Sequence, residues 1–327
     1  MRALLLRALV FAIGLWLVAL ALDAFLMWGI HRKQTGDYGV WNRIASGRIN
    51  TEVLISGSSR ALTGVDSRRL AQATGLTCFN IAIDGARLEA QAALLETYLH
   101  HNRAPAVIIQ TVDIFSLEPL EKVYQPSLYA PYLDEATLYA YTRTAEPGFW
   151  IRRHFPLYNF AVDKLMLFDS LWSLLGRETA SWEYRLDGYR PHNGIWDGSF
   201  DRFKDEHPGG QTYRITQAGI IHLQHIADLA NKYGSKLIVV YPPEFHSNME
   251  LTLNRTEILQ AYMTLATHNH VPFWDFSDDP ICRDQSTFYN SQHLNRDGAE
   301  RFTELLAGHL LALKASTQPT LPNTPGK

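Results

Sequence analysis

Five short apolar runs constrain the fold of this chain more than any other feature: Val53 to Ile55, Cys78 to Ile83, Ala106 to Val112, Lys236 to Tyr241 and Val271 to Phe276. Each is rich in Val, Ile or Phe and lies close to turn formers, the pattern of strands buried on both faces of a parallel sheet. Helical patterns alternate with them. Asp66 is a good N-cap for SRRLAQATG with Gly75 as its stop, and Arg87 to His101 carries Leu88, Ala92, Leu95 and Leu99 on one stripe. Further on come helix Thr216 to Tyr233, the fourth strand, helix Thr256 to His268, the fifth strand and helix Gly298 to Ala315. The pattern predicts a three-layer α/β domain over residues 34–315, built on a five-stranded, doubly wound parallel sheet.

Residues 116–214 interrupt this rhythm. They are dense in prolines and aromatics, including Tyr124, Tyr129, Tyr132, Tyr139, Tyr141, Trp150, Trp172, Trp182 and Trp196. So long a stretch without structure does not suit a compact domain. It reads as an inserted, partly helical subdomain or lid, with LDEATLYAYTR and the LMLFDSLWSLL region as its clearest helices. Aromatic faces suit a cradle for a sugar or an acyl chain, and they equally suit the core of a small subdomain. The tail, residues 316–327, is polar and proline-rich, a composition that predicts disorder.

The amino end, residues 1–33, reads as a membrane anchor. Ala8 to Leu22 carries no charge, and after Asp23 the apolar character resumes up to His31-Arg32-Lys33. Ala8 to Ile30 is long enough for a bilayer, which needs about 20 residues. Arg2 and Arg7 precede it, which predicts a cytoplasmic amino end and an exported remainder. A cleaved signal peptide is the competing reading, since Ala19-Leu20-Ala21 offers small residues at a suitable spacing. Length, and Trp28 with its basic neighbours as an interface anchor, favour retention. Asp23 is costly or functional inside hydrocarbon, and a partner helix is one thing it could face.

A formal net charge of -3 makes no electrostatic case for nucleic acid. The only two cysteines, Cys78 and Cys282, are too few for a disulfide scaffold, although an exported location would permit one bridge. His222 with His225, and His268 with His270, lack the cysteines or carboxylates of a metal site, so no metal or other cofactor is expected.

Ligands of doubly wound sheets bind at the carboxyl ends of the strands. Strand one leads into Ser56-Gly57-Ser58-Ser59; strand two, with Asn80, leads into Asp84-Gly85-Ala86; strand three ends in Thr111-Val112-Asp113; after strand five comes FYNSQHLNRDGAERF with His293. A serine, glycine amides, polar side chains and a histidine on one edge are the parts of an acyl-transfer site.

Here the sequence resembles the SGNH (GDSL-like) hydrolase superfamily, in particular its bacterial membrane-anchored members with one N-terminal helix. Gly57-Ser58-Ser59 is similar to the first block, Gly-Asp-Ser, with Ser58 replacing the aspartate and Ser59 as the implied nucleophile. The second block implies that Gly85 offers an oxyanion amide. The third, Gly-x-Asn-Asp, is matched loosely by TVDI and puts Asp113 where the oxyanion-binding asparagine stands. The fifth, Asp-x-x-His, is matched by Asn290-Ser291-Gln292-His293, with histidine kept and asparagine replacing the acid. The resemblance covers roughly residues 50–115 and 235–315 and implies a flavodoxin-like sheet. It also implies Ser59, His293 and Asn290 as catalytic residues, and Gly85, Asp113 and Ser58 around the oxyanion or substrate.

Two departures matter. Asn290 can accept a hydrogen bond from His293 but brings no charge; a backbone carbonyl or another acid such as Asp284 is an alternative orienter. Asp113 is a poor oxyanion partner unless protonated or turned to another task. Two functions remain open. One is a membrane-anchored esterase or O-acyltransferase of the bacterial envelope, outside the cytoplasmic membrane and acting on acyl esters of exported polysaccharide. The other is a catalytically silent domain that binds a glycan or a multi-pass membrane acyltransferase.

Overall fold

The computed structural model describes residues 1–119, 122–178 and 184–317. Helices α1 (Arg2–His31) and α2 (Gly36–Ala45) precede β1 (Val53–Ser56). Then follow α3 (Ser59–Gly64), α4 (Ser67–Thr74), β2 (Cys78–Asn80), α5 (Leu88–His101) and β3 (Val107–Thr111). The insertion holds α6 (Pro126–Tyr129), α7 (Ala136–Ala145), α8 (Phe149–His154), α9 (Tyr158–Val162), α10 (Lys164–Leu174) and α11 (Ser199–Glu206). The chain ends through α12 (Gln217–Lys232), β4 (Lys236–Tyr241), α13 (His246–Glu250), α14 (Arg255–His268), β5 (Phe273–Asp275), β6 (Phe288–Asn290), β7 (His293–Leu294) and α15 (Arg296–Thr317). Ser316 and Thr317, assigned to the tail by sequence, end α15; Trp182 and residues 318–327 lie outside the described residues.

The sheet order is β2-β1-β3-β4-β5, and every pairing is parallel. Side chains alternate across it with period two. Leu54, Ile108, Leu237 and Val239 enter a core shared with α2, α5, α7, α12 and α14. Val53, Ile55, Ile109 and Ile238 enter the opposite core with α3, α4 and α15. Burial on both faces explains why these strands read as continuous apolar runs.

Local signals hold where they are strongest. The Asp66 carboxylate accepts from the Arg68 and Arg69 amides at 2.9 and 3.1 Å, and Gly75 ends α4 at φ 70°. The second strand is shorter than the apolar run. Ile81 and Ile83 still donate to Ile55 and Gly57, but the Asn80 amide is taken by Asp187 of the insertion. The Asn80 side chain lies beneath α3 and donates to Ala61 and Val65. The fifth strand shrinks to an edge strand of three residues, and the segment carrying His293, expected as loop, is an antiparallel hairpin.

Helix α1 is the one helix among the described residues long and apolar enough to cross a membrane. Its carboxyl end is tied to the body: Asn42 donates to the Ile30 and Lys33 carbonyls, satisfying groups a helix end leaves open, and Lys33 pairs with Asp169 at 2.6 Å. Both cysteines are free thiols, so no bridge joins them.

Candidate active site

The switch point of a 2-1-3-4-5 sheet lies between β1 and β3. There Gly57 turns the chain from β1 into α3. At φ 156° any Cβ would overlap the Thr111 side chain, so only glycine allows this close approach of two strand ends. Ser58 caps α3, its Oγ accepting from the Arg60 amide at 3.3 Å. Ser59 is thus the first residue of α3 and part-exposed, while Ser58 is fully buried.

Across from it, Asn290 and His293 are directly paired on β6 and β7 with Ser291-Gln292 at the turn. A spacing of three across a two-residue hairpin turn brings both side chains to the same side, which explains why that spacing serves an orienter and a base. His293 Nε2 lies 2.8 Å from Ser59 Oγ, and His293 Nδ1 lies 2.9 Å from Asn290 Oδ1. The Gln292 and His293 backbone amides also reach that Asn290 atom at 3.1 and 3.0 Å. Backbone amides only donate, so the shared atom is the amide oxygen. His293 therefore carries its proton on Nδ1 and turns the Nε2 lone pair to Ser59.

Asp284, the alternative orienter, does not reach this point. It caps Ser286 and pairs with Arg301 on the surface. Burial, and then the positive Arg60 nearby, push the pKa of His293 down to about 3. The imidazole is neutral at any physiological pH and is a weak base.

Asp113 is turned away from any oxyanion. Its carboxylate accepts from Ser58 Oγ at 2.5 Å and pairs with Arg60 at 3.3 Å, its amide donates to Ser116, and its carbonyl accepts from Tyr262 Oη. Ser58 is committed to the same contact, so its hydroxyl is a brace between β1 and β3. Gly85 sits at φ 63° under the Tyr124 ring, and a Cβ would come within 2.5 Å of that ring. Its amide interacts with Asp84, whose pKa is raised by burial against the pull of Arg190.

Several contributors carry no local sequence signal. Arg60 is buried and charged, donating to the Pro242 and Pro243 carbonyls at 2.5 and 3.0 Å and lying 3.8 Å from Glu244. The loop after β4 is thus a fourth wall. The insertion supplies another: Arg190 pairs with Asp84 at 3.4 Å and with Asp37 at 2.7 Å, and Arg185 pairs with Asp37 at 3.0 Å. Burial opposes the Asp37 charge, but the two arginines outweigh it and lower its pKa. His192 stacks on Tyr289 at 3.6 Å, and Tyr289 stacks on His293 at 5.3 Å. The aromatics divide: Tyr129, Tyr132 and Tyr141 are core, whereas Tyr124 and Trp196 flank the strand ends.

Among the described residues no three metal-ligating side chains cluster. His222 and His225 instead face Glu89 and Glu96 of α5 at 3.9 and 3.5 Å.

No protein-family model and no curated protein matches the chain. Solved structures do. A protein from Desulfitobacterium hafniense named for the lipolytic G-D-S-L family has 10% identity over 79% of this chain and 99% of its own, with a TM-score of 0.40. A mutant of an acetyl-xylooligosaccharide esterase from Geobacillus has 11% identity over 81% and 94%, with a TM-score of 0.39. A GDSL-like lipase from Bacteroides thetaiotaomicron has 9% identity over 79% and 88%, with a TM-score of 0.34. Values this low speak of architecture alone, and the chemistry rests on the site's own residues. In its architecture the chain is similar to GDSL-like acylhydrolases and esterases.

Proposed function

We propose that this protein is a membrane-anchored serine esterase or O-acyltransferase of the bacterial envelope, with its globular part outside the cytoplasmic membrane. One observation carries the reading: the unbroken relay from Ser59 Oγ through His293 Nε2 and Nδ1 to Asn290 Oδ1, at 2.8 and 2.9 Å. Ser59 Oγ attacks an ester carbonyl and passes its proton to His293 Nε2. The Ser59 amide, without an intrahelical partner at the first position of α3, receives the oxyanion, and the Gly85 amide joins it on leaving the Asp84 carboxylate. Collapse expels the alcohol, which takes the proton from His293, and leaves an acyl group on Ser59. Water or a sugar hydroxyl then attacks that acyl group, again through His293, and Ser59 is restored.

The acyl donor is an ester, and the acceptor fitting an exported, membrane-tethered site is an envelope polysaccharide. Asp113 favours a second reading, a silent binding domain, because a carboxylate held by Ser58 and Arg60 donates nothing to an oxyanion. A serine-reactive fluorophosphonate separates the two. The enzyme reading expects labelling of the full chain and turnover of p-nitrophenyl acetate, both lost in Ser59→Ala. Equal labelling of wild type and Ser59→Ala would leave the binding domain as the answer.

A further inference from the structure

Helix α1 is accompanied by the insertion along much of its length. Trp16 meets Phe155 edge-on at 5.8 Å, Asp23 accepts from the Leu157 amide at 2.7 Å, Ser170 donates to the Leu26 carbonyl at 2.6 Å, and Lys33 pairs with Asp169. Arg2 and Arg7 carry the charges that mark the cytoplasmic end of a span, and from Arg2 to Leu15 α1 runs about 21 Å, at 1.5 Å per residue, before the first of these contacts. The hydrocarbon core of a bilayer is about 30 Å thick. If α1 spans, the membrane must therefore rise at least about 9 Å past Leu15, into the zone where the insertion flanks the helix. Trp28, exposed and capped by the Arg32 guanidinium at 4.9 Å, marks an interface still higher.

The surface of the insertion in that zone has the matching chemistry. Between residues 150 and 175 nine large apolar side chains stand exposed, against eight on all the rest of the described chain outside the α1 segment. On α10 and its C-cap, Leu165, Phe168, Trp172 and Leu175 form one stripe opposite the buried Met166, Asp169, Ser170 and Ser173, of which Ser170 meets Leu26 of α1 and Asp169 meets Lys33 just beyond it. Soluble surfaces seldom gather so much apolar area. Where this surface meets α1, a cavity of about 190 Å³ is lined by the charged Asp23, Arg152 and Arg153 together with the apolar Leu20, Met27 and Phe155, so charged groups gather beside Asp23 at the seam between helix and insertion.

We infer that the insertion from α8 to α10 is bedded in the lipid leaflet next to the globular part, its outward face, with Phe155 and Phe168, against acyl chains, while its inner face shields Asp23. The occupant of this surface is lipid, because it continues the apolar face of a spanning helix. A depth of about 9 Å is also what interfacial elements reach. The inference rests on the anchor reading above, and the test separates the two.

The full chain, with Cys78→Ser and Cys282→Ala, is placed singly in nanodiscs of phosphatidylcholine and phosphatidylglycerol. It is spin-labelled through Leu9→Cys, Phe155→Cys, Phe168→Cys, Ile195→Cys or Ile221→Cys. Collision with oxygen, which partitions into lipid, is compared with collision with a water-soluble nickel complex. The expected result is an oxygen-to-nickel ratio several-fold higher at positions 9, 155 and 168 than at 195 and 221. A high ratio at 9 with water-like values at 155 and 168 overturns the inference and leaves the anchor standing. Exclusion of both reagents at 155 and 168 also overturns it, in favour of a protein partner or a second copy. A water-like value at 9 overturns anchor and inference together. In the chain with native cysteines, brominated lipid should quench tryptophan fluorescence measurably less in the Trp150→Phe/Trp172→Phe variant than in wild type. Equal quenching overturns the inference independently of labelling.

Discussion

Replacing Asn290 by aspartate adds one negative charge to the relay and changes almost no volume. The new carboxylate would inherit three donors that already converge on Asn290 Oδ1: the amides of Gln292 and His293 and the His293 ring. Two unit charges about 4 Å apart at an effective dielectric of about 20 attract by about 4 kcal/mol. That corresponds to about 3 pKa units, and burial of the carboxylate reduces it, so a rise of about 1–3 units is expected. His293 would move from about 3 to roughly 5. A base with a pKa closer to the working pH is a better one, and an imidazolium beside a carboxylate is a better-stabilised partner of the transition state. In serine-protease triads the reverse change costs about 10⁴ in kcat, largely through the wrong tautomer. Here two backbone amides already fix the tautomer, so only the charge is missing. A gain of about 10- to 100-fold in kcat/KM, or about 1.4–2.7 kcal/mol, is expected for Asn290→Asp. The assay is the pH profile of p-nitrophenyl acetate hydrolysis, with circular dichroism to show that both proteins are folded. The acid limb should move upward together with the gain at neutral pH. An unmoved acid limb, or a neutral-pH rate equal to or below wild type in a folded variant, refutes the assignment of His293 as base and Asn290 as its orienter.

The same histidine ties stability to pH. Its ordinary value is 6.5, and the folded protein holds it near 3, so between these values the unfolded chain binds a proton that the folded chain refuses. The His293 contribution is whole above about pH 6.5 and declines as pH falls toward 3; thermal melts in detergent at pH 7.5 and 4.5 should therefore differ less for His293→Gln than for wild type, and equal differences would contradict the depressed pKa. Arg60→Met leaves Asp113 and Glu244 buried without their cation. A loss of about 3–5 kcal/mol is expected, read as a Tm lower by roughly 10 °C, and an unchanged Tm would mean the network carries no such load.

The parts legible in sequence are those set by local chemistry. The Asp66 cap, the Gly75 stop and the five apolar runs act over a few residues, and the sheet follows from them. Ser59 and His293 come from blocks 234 residues apart, and topology alone joins them: one follows β1, the other follows β5, and both strands end on the same edge. Asp113 stands where the block puts the oxyanion-binding asparagine, and its carboxylate takes the other task, bracing Ser58 and Arg60. Its position after β3 is as expected, but the buried Arg60, two residues after Ser58, draws the carboxylate inward, and no spacing rule pairs residues 53 positions apart. Asp23 is similar: its partner is a backbone amide 134 residues away, so the sequence presents it only as an anomaly in an apolar helix.

The insertion hid its role for a physical reason. Its aromatics serve two surfaces that a periodicity cannot tell apart: an inner core with Tyr129, Tyr132 and Tyr141, and an outer face with Phe155 and Phe168. Its charges work at long range: Arg190 reaches Asp84 at a separation of 106 residues and Asp37 at 153. Asp37 follows α1 by a few residues and lies on α2, while Arg190 also donates its amide to the Leu62 carbonyl of α3, the helix that Ser59 begins. Ser59 is therefore linked to the apolar helix by packed and paired groups rather than by a loose tether. Under the proposed anchoring, a site joined to α1 in this way would work at a fixed height above the membrane, which would favour acyl carriers and acceptors that arrive at that height over those diffusing freely.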